Sequence, residues 1–287
     1  MRKILLLLAL LGALLARVSA QEVTMEIVLD QEQYLRAEAV PVFVRISNLS
    51  GRTLRLGTNP NWLTFTVDAD GVLLPRQGEG PVTRPFDLES SKTVTLRADL
   101  TQHFNLTELG RYTVTAKASL QQLNLGIGAK PKTFNIATGI KLWERDFGVP
   151  ESNPPEARKY ALQQVVFLKQ KKIYVRVTDV DESKVFRVTP LGTLISFSQP
   201  EARVDQSSNL HVLFQDDARN FSYFIVNPSG DIIIRRAYDY TETRPQLAAT
   251  QNGLILVTGG VRRVMPSDLP PPAAPKAAST NAIPVPK

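Results

Sequence analysis

The chain has 287 residues, of which 43% are hydrophobic, 21% charged and 7% aromatic, a composition that excludes a disordered, collagenous or polytopic membrane protein. Basic residues exceed acidic ones by 34 to 27, but Arg2, Lys3 and Arg17 lie in the first twenty residues, so the formal charge of +7 falls to +4 without them, too little to imply a nucleic-acid partner. Cysteine is absent, which removes disulfides, thiolate chemistry and cysteine metal sites, and two histidines, His103 and His211, leave little acid–base capacity near neutral pH; no cofactor and no metal are expected.

Arg2 and Lys3 precede an apolar run from Ile4 to Leu15, and Val18-Ser19-Ala20 then supplies small or apolar residues where a signal peptidase reads. Residues 1–20 are expected to be a signal peptide, with the mature chain starting at Gln21. The apolar run falls short of the roughly 20 residues that span a bilayer, so no stable membrane insertion is expected after cleavage. A cysteine-free exported chain fits the bacterial periplasm or medium better than a disulfide-rich eukaryotic secretory route.

From Val23 to about Thr138 the signal is alternation: Val23, Met25, Ile27 and Leu29, then Val40, Val42, Val44 and Ile46, then Leu63, Phe65 and Val67. Period two predicts half-buried strands, separated by turns at Asn48-Leu-Ser-Gly51, Asp68-Ala-Asp-Gly71 and Gly78-Glu-Gly-Pro81. Further strands are predicted around Val94–Ala98 and Tyr112–Ala116, and the spacing without a convincing helix points to a two-sheet sandwich over 21–138.

Glu108-Leu-Gly110-Arg-Tyr112-Thr-Val114 resembles the tyrosine-corner segment of immunoglobulin-like domains, in which an acid, a glycine and a tyrosine open a late strand. The resemblance implies that the Tyr112 hydroxyl bonds a nearby backbone group and fixes the corner between sheets. Val114 stands where antibody domains carry a cysteine, so the relative would be a disulfide-free one.

Residues 139–160 break the rhythm: Trp143 and Phe147 sit among Lys141, Glu144, Arg145 and Asp146, with Pro150, Pro154 and Pro155 following. They read as a connector whose two aromatics dock on a neighbouring domain. Beyond it, over 161–263, Phe186-x-Val188-x-Pro190-x-Gly192-x-Leu194-Ile195 recurs at an offset of 38 as Phe224-x-Val226-x-Pro228-x-Gly230-x-Ile232-Ile233. Proline and glycine at these places suit a hairpin turn between strands. Two and a half copies of a four-stranded unit resemble blades of a β-propeller, an incomplete stack whose edges the sandwich would cover, making a monomer the expectation over a homodimer. Residues 264–287 hold seven prolines and five alanines in 24 positions and are expected to form a disordered or polyproline-like tail.

No Gly-x-Ser-x-Gly elbow, phosphate loop or dinucleotide fingerprint is present. Asp179-Val-Asp181-Glu-Ser183 begins like a calcium loop but has Lys184 where glycine is needed and Pro190 where the bidentate acid belongs. The binding candidates are Phe221, Tyr223, Arg235, Arg236, Tyr238, Tyr240 and Arg244 in the second repeat. Phe224 and Val226 mark the core face, so Phe221 and Tyr223 lie on the opposite one, where they either meet a protein or glycan or pack on the next sheet. The expectation is an exported all-β protein, an immunoglobulin-like sandwich followed by propeller-like repeats, acting as a non-catalytic interaction or structural module. The rivals are a hydrolase of envelope polymers and a secreted protease-inhibitor-like sandwich. Intact-mass measurement of exported protein should give a chain starting at Gln21; a membrane-bound species retaining Met1–Ala20 would contradict the leader.

Overall fold

The computed structural model describes residues 22–78, 84–150, 152–195 and 198–264. The expected signal peptide at 1–20 and nearly all of the expected tail lie outside them. Every regular element described is a strand or a single 3₁₀ turn, and no helix among the described residues is long and apolar enough to cross a membrane. The chain is all-β, with small sheets in a propeller-like arrangement.

The first half supplies β1 (Val23–Leu29), β2 (Gln33–Leu35), β3 (Pro41–Asn48), β4 (Leu54–Leu56), β5 (Leu63–Ala69), β6 (Val72–Leu73), β7 (Phe86–Leu88), β8 (Thr93–Asp99), β9 (Gly110–Leu120), β10 (Leu125–Gly128) and β11 (Lys132–Ala137). One sheet has the order β1-β3-β8 and another the order β2-β11-β9-β5-β6, with β10 on the far end of β9 and a small β4-β7 ladder beside them. Only β2, on β11, pairs in parallel among these strands. The period-two pattern decides how the sheets meet: Val42, Val44 and Ile46 of β3 share one core with Phe65 and Val67 of β5, Val114 of β9 and Phe134 of β11. Asn48, at the end of β3, is fully buried; its Nδ2 donates to the carbonyls of Arg52 at 2.7 Å and Leu88 at 2.9 Å, pinning the chain on either side of the β4-β7 ladder.

Gly110 opens β9 at φ 144°, a backbone conformation that favours glycine, and Tyr112 follows. The Tyr112 hydroxyl donates to the Glu108 carbonyl at 2.8 Å while its ring stacks on Phe134 at 5.4 Å. This is the bond that the resemblance implied.

The second half supplies β12 (Ile140–Gly148), β13 (Ala157–Phe167), β14 (Gln170–Asp179), β15 (Val185–Leu194), β16 (Glu201–Val204), β17 (Leu210–Gln215), β18 (Asn220–Val226), β19 (Ile232–Asp239), β20 (Gln246–Ala249), β21 (Ile255–Thr258) and β22 (Val261–Arg263). Two consecutive antiparallel meanders form: a first blade, β12-β13-β14-β15, and a second, β16-β17-β18-β19, to which β22 adds a fifth strand. The β20-β21 hairpin follows as a sheet of two. The layers bury one another in sequence. One face of the first blade packs on Leu35, and the other, with Tyr160, Ile173 and Val175, packs on Val212, Phe214 and Phe224 of the second blade. The second blade's remaining face packs on Leu247 and Ile255 of the hairpin. Covered on both sides, β17 is buried at every position.

Two expectations are corrected here. Residues 139–160 are not a free connector, since they contain β12 and the start of β13; β12 is an edge strand, so its charged residues face solvent and mask the strand signal. Its Phe147 stacks at 4.0 Å on Tyr160 of the adjacent strand in the same sheet. The 38-residue sequence repeat is not a structural one throughout. In the second copy Asn227–Asp231 is a hairpin turn, with Gly230 N donating to Asn227 O at 2.8 Å, whereas in the first copy β15 runs straight through Pro190 and Gly192 with a bulge at Leu191. The partner β14 extends far enough to keep pairing, and the bulge accommodates a proline that has no N–H to give. The unit that recurs structurally is marked instead by Pro155-Glu-Ala-Arg158 and Pro200-Glu-Ala-Arg203, 45 residues apart, and by Pro245 a further 45 on, just ahead of or at the start of β13, β16 and β20.

Tyr112→Phe should lower stability by about 1 kcal/mol, the net value of one hydrogen bond. Tyr112→Ala should cost about 3–5 kcal/mol, because a cavity is added. Denaturant melts of both variants measure this, and an unchanged midpoint for the alanine variant would show that the corner carries no load.

Candidate functional site

The binding candidates do not converge on one open surface. Phe221, Tyr223 and Tyr238 are buried, packed with Leu213 beneath Leu247 and Ile255 of the β20-β21 hairpin. Alternation places Phe221 and Tyr223 opposite Phe224 and Val226 as expected, but that face is covered by the next sheet, so these aromatics are not available to a ligand. Arg244 lies 5.3 Å over the Phe221 ring and donates to Ser198 Oγ at 3.3 Å, closing the edge of this packing. Arg235 is exposed on the other face, 5.5 Å from the Phe224 ring. Arg236 is half-buried as the cross-strand neighbour of Tyr223, and Tyr240 is exposed just beyond β19.

Inside the same packing lies a chain of polar groups that has the composition of a catalytic relay. His211 of β17 is buried; its Nε2 is 3.1 Å from Asp205 Oδ2 and its Nδ1 is 2.6 Å from the Tyr223 hydroxyl. The carboxylate fixes the tautomer, so Nε2–H donates to Asp205 and Nδ1 accepts the hydroxyl proton. Asp205 is held by the Asn209 backbone N–H at 2.8 Å and side-chain amide at 3.2 Å, the turn that joins β16 to β17. Burial works to raise the Asp205 carboxyl, but hydrogen bonds from His211 and Asn209 outweigh it and hold it below the ordinary carboxylate value. Burial pushes Tyr223 up to about 12, the opposite of an activated nucleophile. With its hydroxyl sealed in the core, the chain satisfies buried polar groups and orients a strand, and no substrate can reach it.

The acidic turn at 179–184 is likewise occupied. Asp179 Oδ1 accepts from Lys184 N at 2.9 Å and Oδ2 from the Ser183 hydroxyl, while Glu182 pairs with Lys141 at 2.9 Å and Lys159 at 3.3 Å. His103 is half-buried in the loop after β8. A groove of about 360 Å³ lies on the outer face of β5, β9 and β10, floored by Gly126 and Gly128 and rimmed by Thr64, Lys117 and Ser119. Trp62 adjoins it but is buried, so no aromatic platform is offered to a sugar ring.

What stands open is aliphatic. On the terminal hairpin Leu254 is 61% and Leu256 51% exposed. Among the described residues β20 and β21 form a ladder only with each other; β20 is held on its other side, where Leu247 N donates to Glu201 Oε2 at 2.8 Å, which leaves β21 as the edge strand. Sequence reading did not single these leucines out, because an alternating apolar run reads as buried strand whether or not a further sheet covers it.

No protein-family model and no curated protein matches the chain. Among solved structures it is similar to the sporulation control protein Spo0M of Bacillus subtilis, at 10% identity and a TM-score of 0.29, over 54% of this chain and 79% of that one.

Tyr223→Phe should cost about 1–3 kcal/mol, because His211 Nδ1 is left as a buried acceptor without a donor. Arg235→Ala, on an exposed position, should leave the denaturation midpoint within error. Equal tolerance of the two changes would place Tyr223 outside the core.

Proposed function

We propose that this protein is an exported, non-catalytic interaction module that binds a protein partner through the open end of its blade stack. The observation that carries the reading is the terminal hairpin, where two exposed leucines adjoin the edge strand β21. Aliphatic side chains beside unpaired backbone favour strand addition by a protein over recognition of a glycan, which would call for aromatic platforms and convergent polar groups. Its mature form, residues 21 onward, is a monomer in this reading, in the bacterial periplasm or medium.

The first half is read as an immunoglobulin-like sandwich over 21–138. Support comes from the strand orders β1-β3-β8 and β11-β9-β5-β6, which match the A-B-E and G-F-C-C′ orders of that family, and from the Tyr112 bond to Glu108. The repeat region begins at β12 instead of residue 161.

The test pairs wild type with Leu254→Lys/Leu256→Lys in pull-downs from the source organism's own extracellular or periplasmic fraction. Wild type should retain a defined protein at near-stoichiometric amounts, and the double variant should lose it by tenfold or more with an unchanged melting temperature. Retention by the double variant, binding to polysaccharide in place of protein, or turnover of envelope polymers by the purified chain would each overturn the reading.

A further inference from the structure

Where the sandwich meets the first blade, a carboxylic acid is sealed in. Glu38 ends a tight turn after β2 in which its N–H donates to Leu35 O at 2.9 Å and Ala37 takes a φ of 68°. The Glu38 side chain folds back over this turn and the residue is 3% exposed. Its Oε2 accepts from Leu35 N at 2.7 Å and its Oε1 from Gln31 Nε2 at 2.5 Å. Gln31 Oε1 in turn accepts from Lys172 Nζ of β14 at 3.0 Å. Leu35 packs with Val165, Tyr174 and Val188, so the turn that carries Glu38 is also the sandwich's apolar footing on the blade.

The groups facing Glu38 do not neutralise it. Asp30, from the β1–β2 loop, accepts the Tyr34 hydroxyl at 2.6 Å and adds a like charge. Lys172 reaches Glu38 only through Gln31, and the Tyr174 hydroxyl of β14 is buried with no hydrogen-bond partner. Arg36, in the turn itself, and Arg176, on β14, repel one another. An ionised Glu38 is therefore a buried charge with two N–H donors and no direct cation, a costly arrangement, whereas the neutral acid keeps the apolar footing intact.

We propose that the charge on Glu38 governs docking of the sandwich on the first blade: neutral Glu38 holds the junction closed, and ionised Glu38 loosens it. Burial pushes the carboxyl up to about 7, against the opposing pull of Leu35 N–H, Gln31 and Lys172. The closed junction then binds the proton more tightly than the open one. The advantage of closure is complete below the ordinary value of 4.5 and is lost as pH rises through about 7.

The test is hydrogen exchange on the full chain at about pH 5.5 and 8.5, following peptides over 31–38 and 172–176 relative to the doubly covered β17, which cancels the intrinsic pH dependence of exchange. In wild type the relative protection of the junction should fall about thirtyfold at the higher pH, and in Glu38→Gln it should not change. Parallel behaviour of junction and β17 in wild type, or a wild-type pH response in Glu38→Gln, would refute the switch. Should the variant fail to fold, carbon-13 titration of the Glu38 carboxyl in wild type decides: a midpoint near 7 that coincides with loss of protection supports the proposal, and one near 4.5 overturns it.

Discussion

Tyr160 is where the two blades become one body. Its ring, fully buried, stacks on Phe147 at 4.0 Å, and its hydroxyl lies 3.1 Å from the Ser208 carbonyl and 3.3 Å from that of Val226 in the second blade. A single side chain thus ties β12 to β13 and the first blade to both ends of the second blade's central hairpin. Around it the blades are latched through main-chain atoms: Arg158 donates to Pro228 O at 2.9 Å, Thr189 to Gly230 O at 2.7 Å and Ser208 to Gly148 O at 2.7 Å. The approach is close enough that Gly230, at φ 86°, has no room for a Cβ, which would sit 2.8 Å from that of Arg187. Small sheets cannot each enclose a core, so they share cores, and the layer interfaces carry the stability.

Sharing cores also explains which parts of the fold were legible. Strands covered on one face, such as β3, β5 and β9, alternate through most of their length, and their burial there follows the sequence pattern. Alternation separates two faces but does not say whether the second is wet, and for Phe221 and Tyr223 it is dry. At β12 the reverse holds, because an edge strand with charged residues loses its periodic signature. Pro190 and Pro228 carry the same local signal, and only the length of the neighbouring strand makes one a bulge and the other a turn. The Tyr112 bond to Glu108 was legible because its requirement is local: an acceptor carbonyl four residues back and a glycine able to open the strand.

The buried polar groups had no pattern to betray them. Asn48, Glu38 and the Asp205–His211–Tyr223 chain lie where strands end or layers meet, and each satisfies backbone or side-chain groups that would otherwise be stranded away from water. Their shared role is to specify geometry, since an apolar replacement would leave the neighbouring N–H or imidazole nitrogen unpaired. A relay-like composition inside a protein is therefore weak grounds for catalysis until a path from solvent to the hydroxyl is found.

The strand orders carry a consequence for how the chain reaches this state. Within the β12–β15 and β16–β19 meanders, neighbours in sequence are neighbours in space, so loops are short and closure costs little entropy. The first half of the chain instead needs β3 to find β8 and β2 to find β11, whose residues Gln33 and Asn135 pair across most of its length. Contact order of this kind slows folding, and the footing at Leu35 exists only once β2 has been laid against β11. The blades should be ready first and wait for the first half, and the junction closes last.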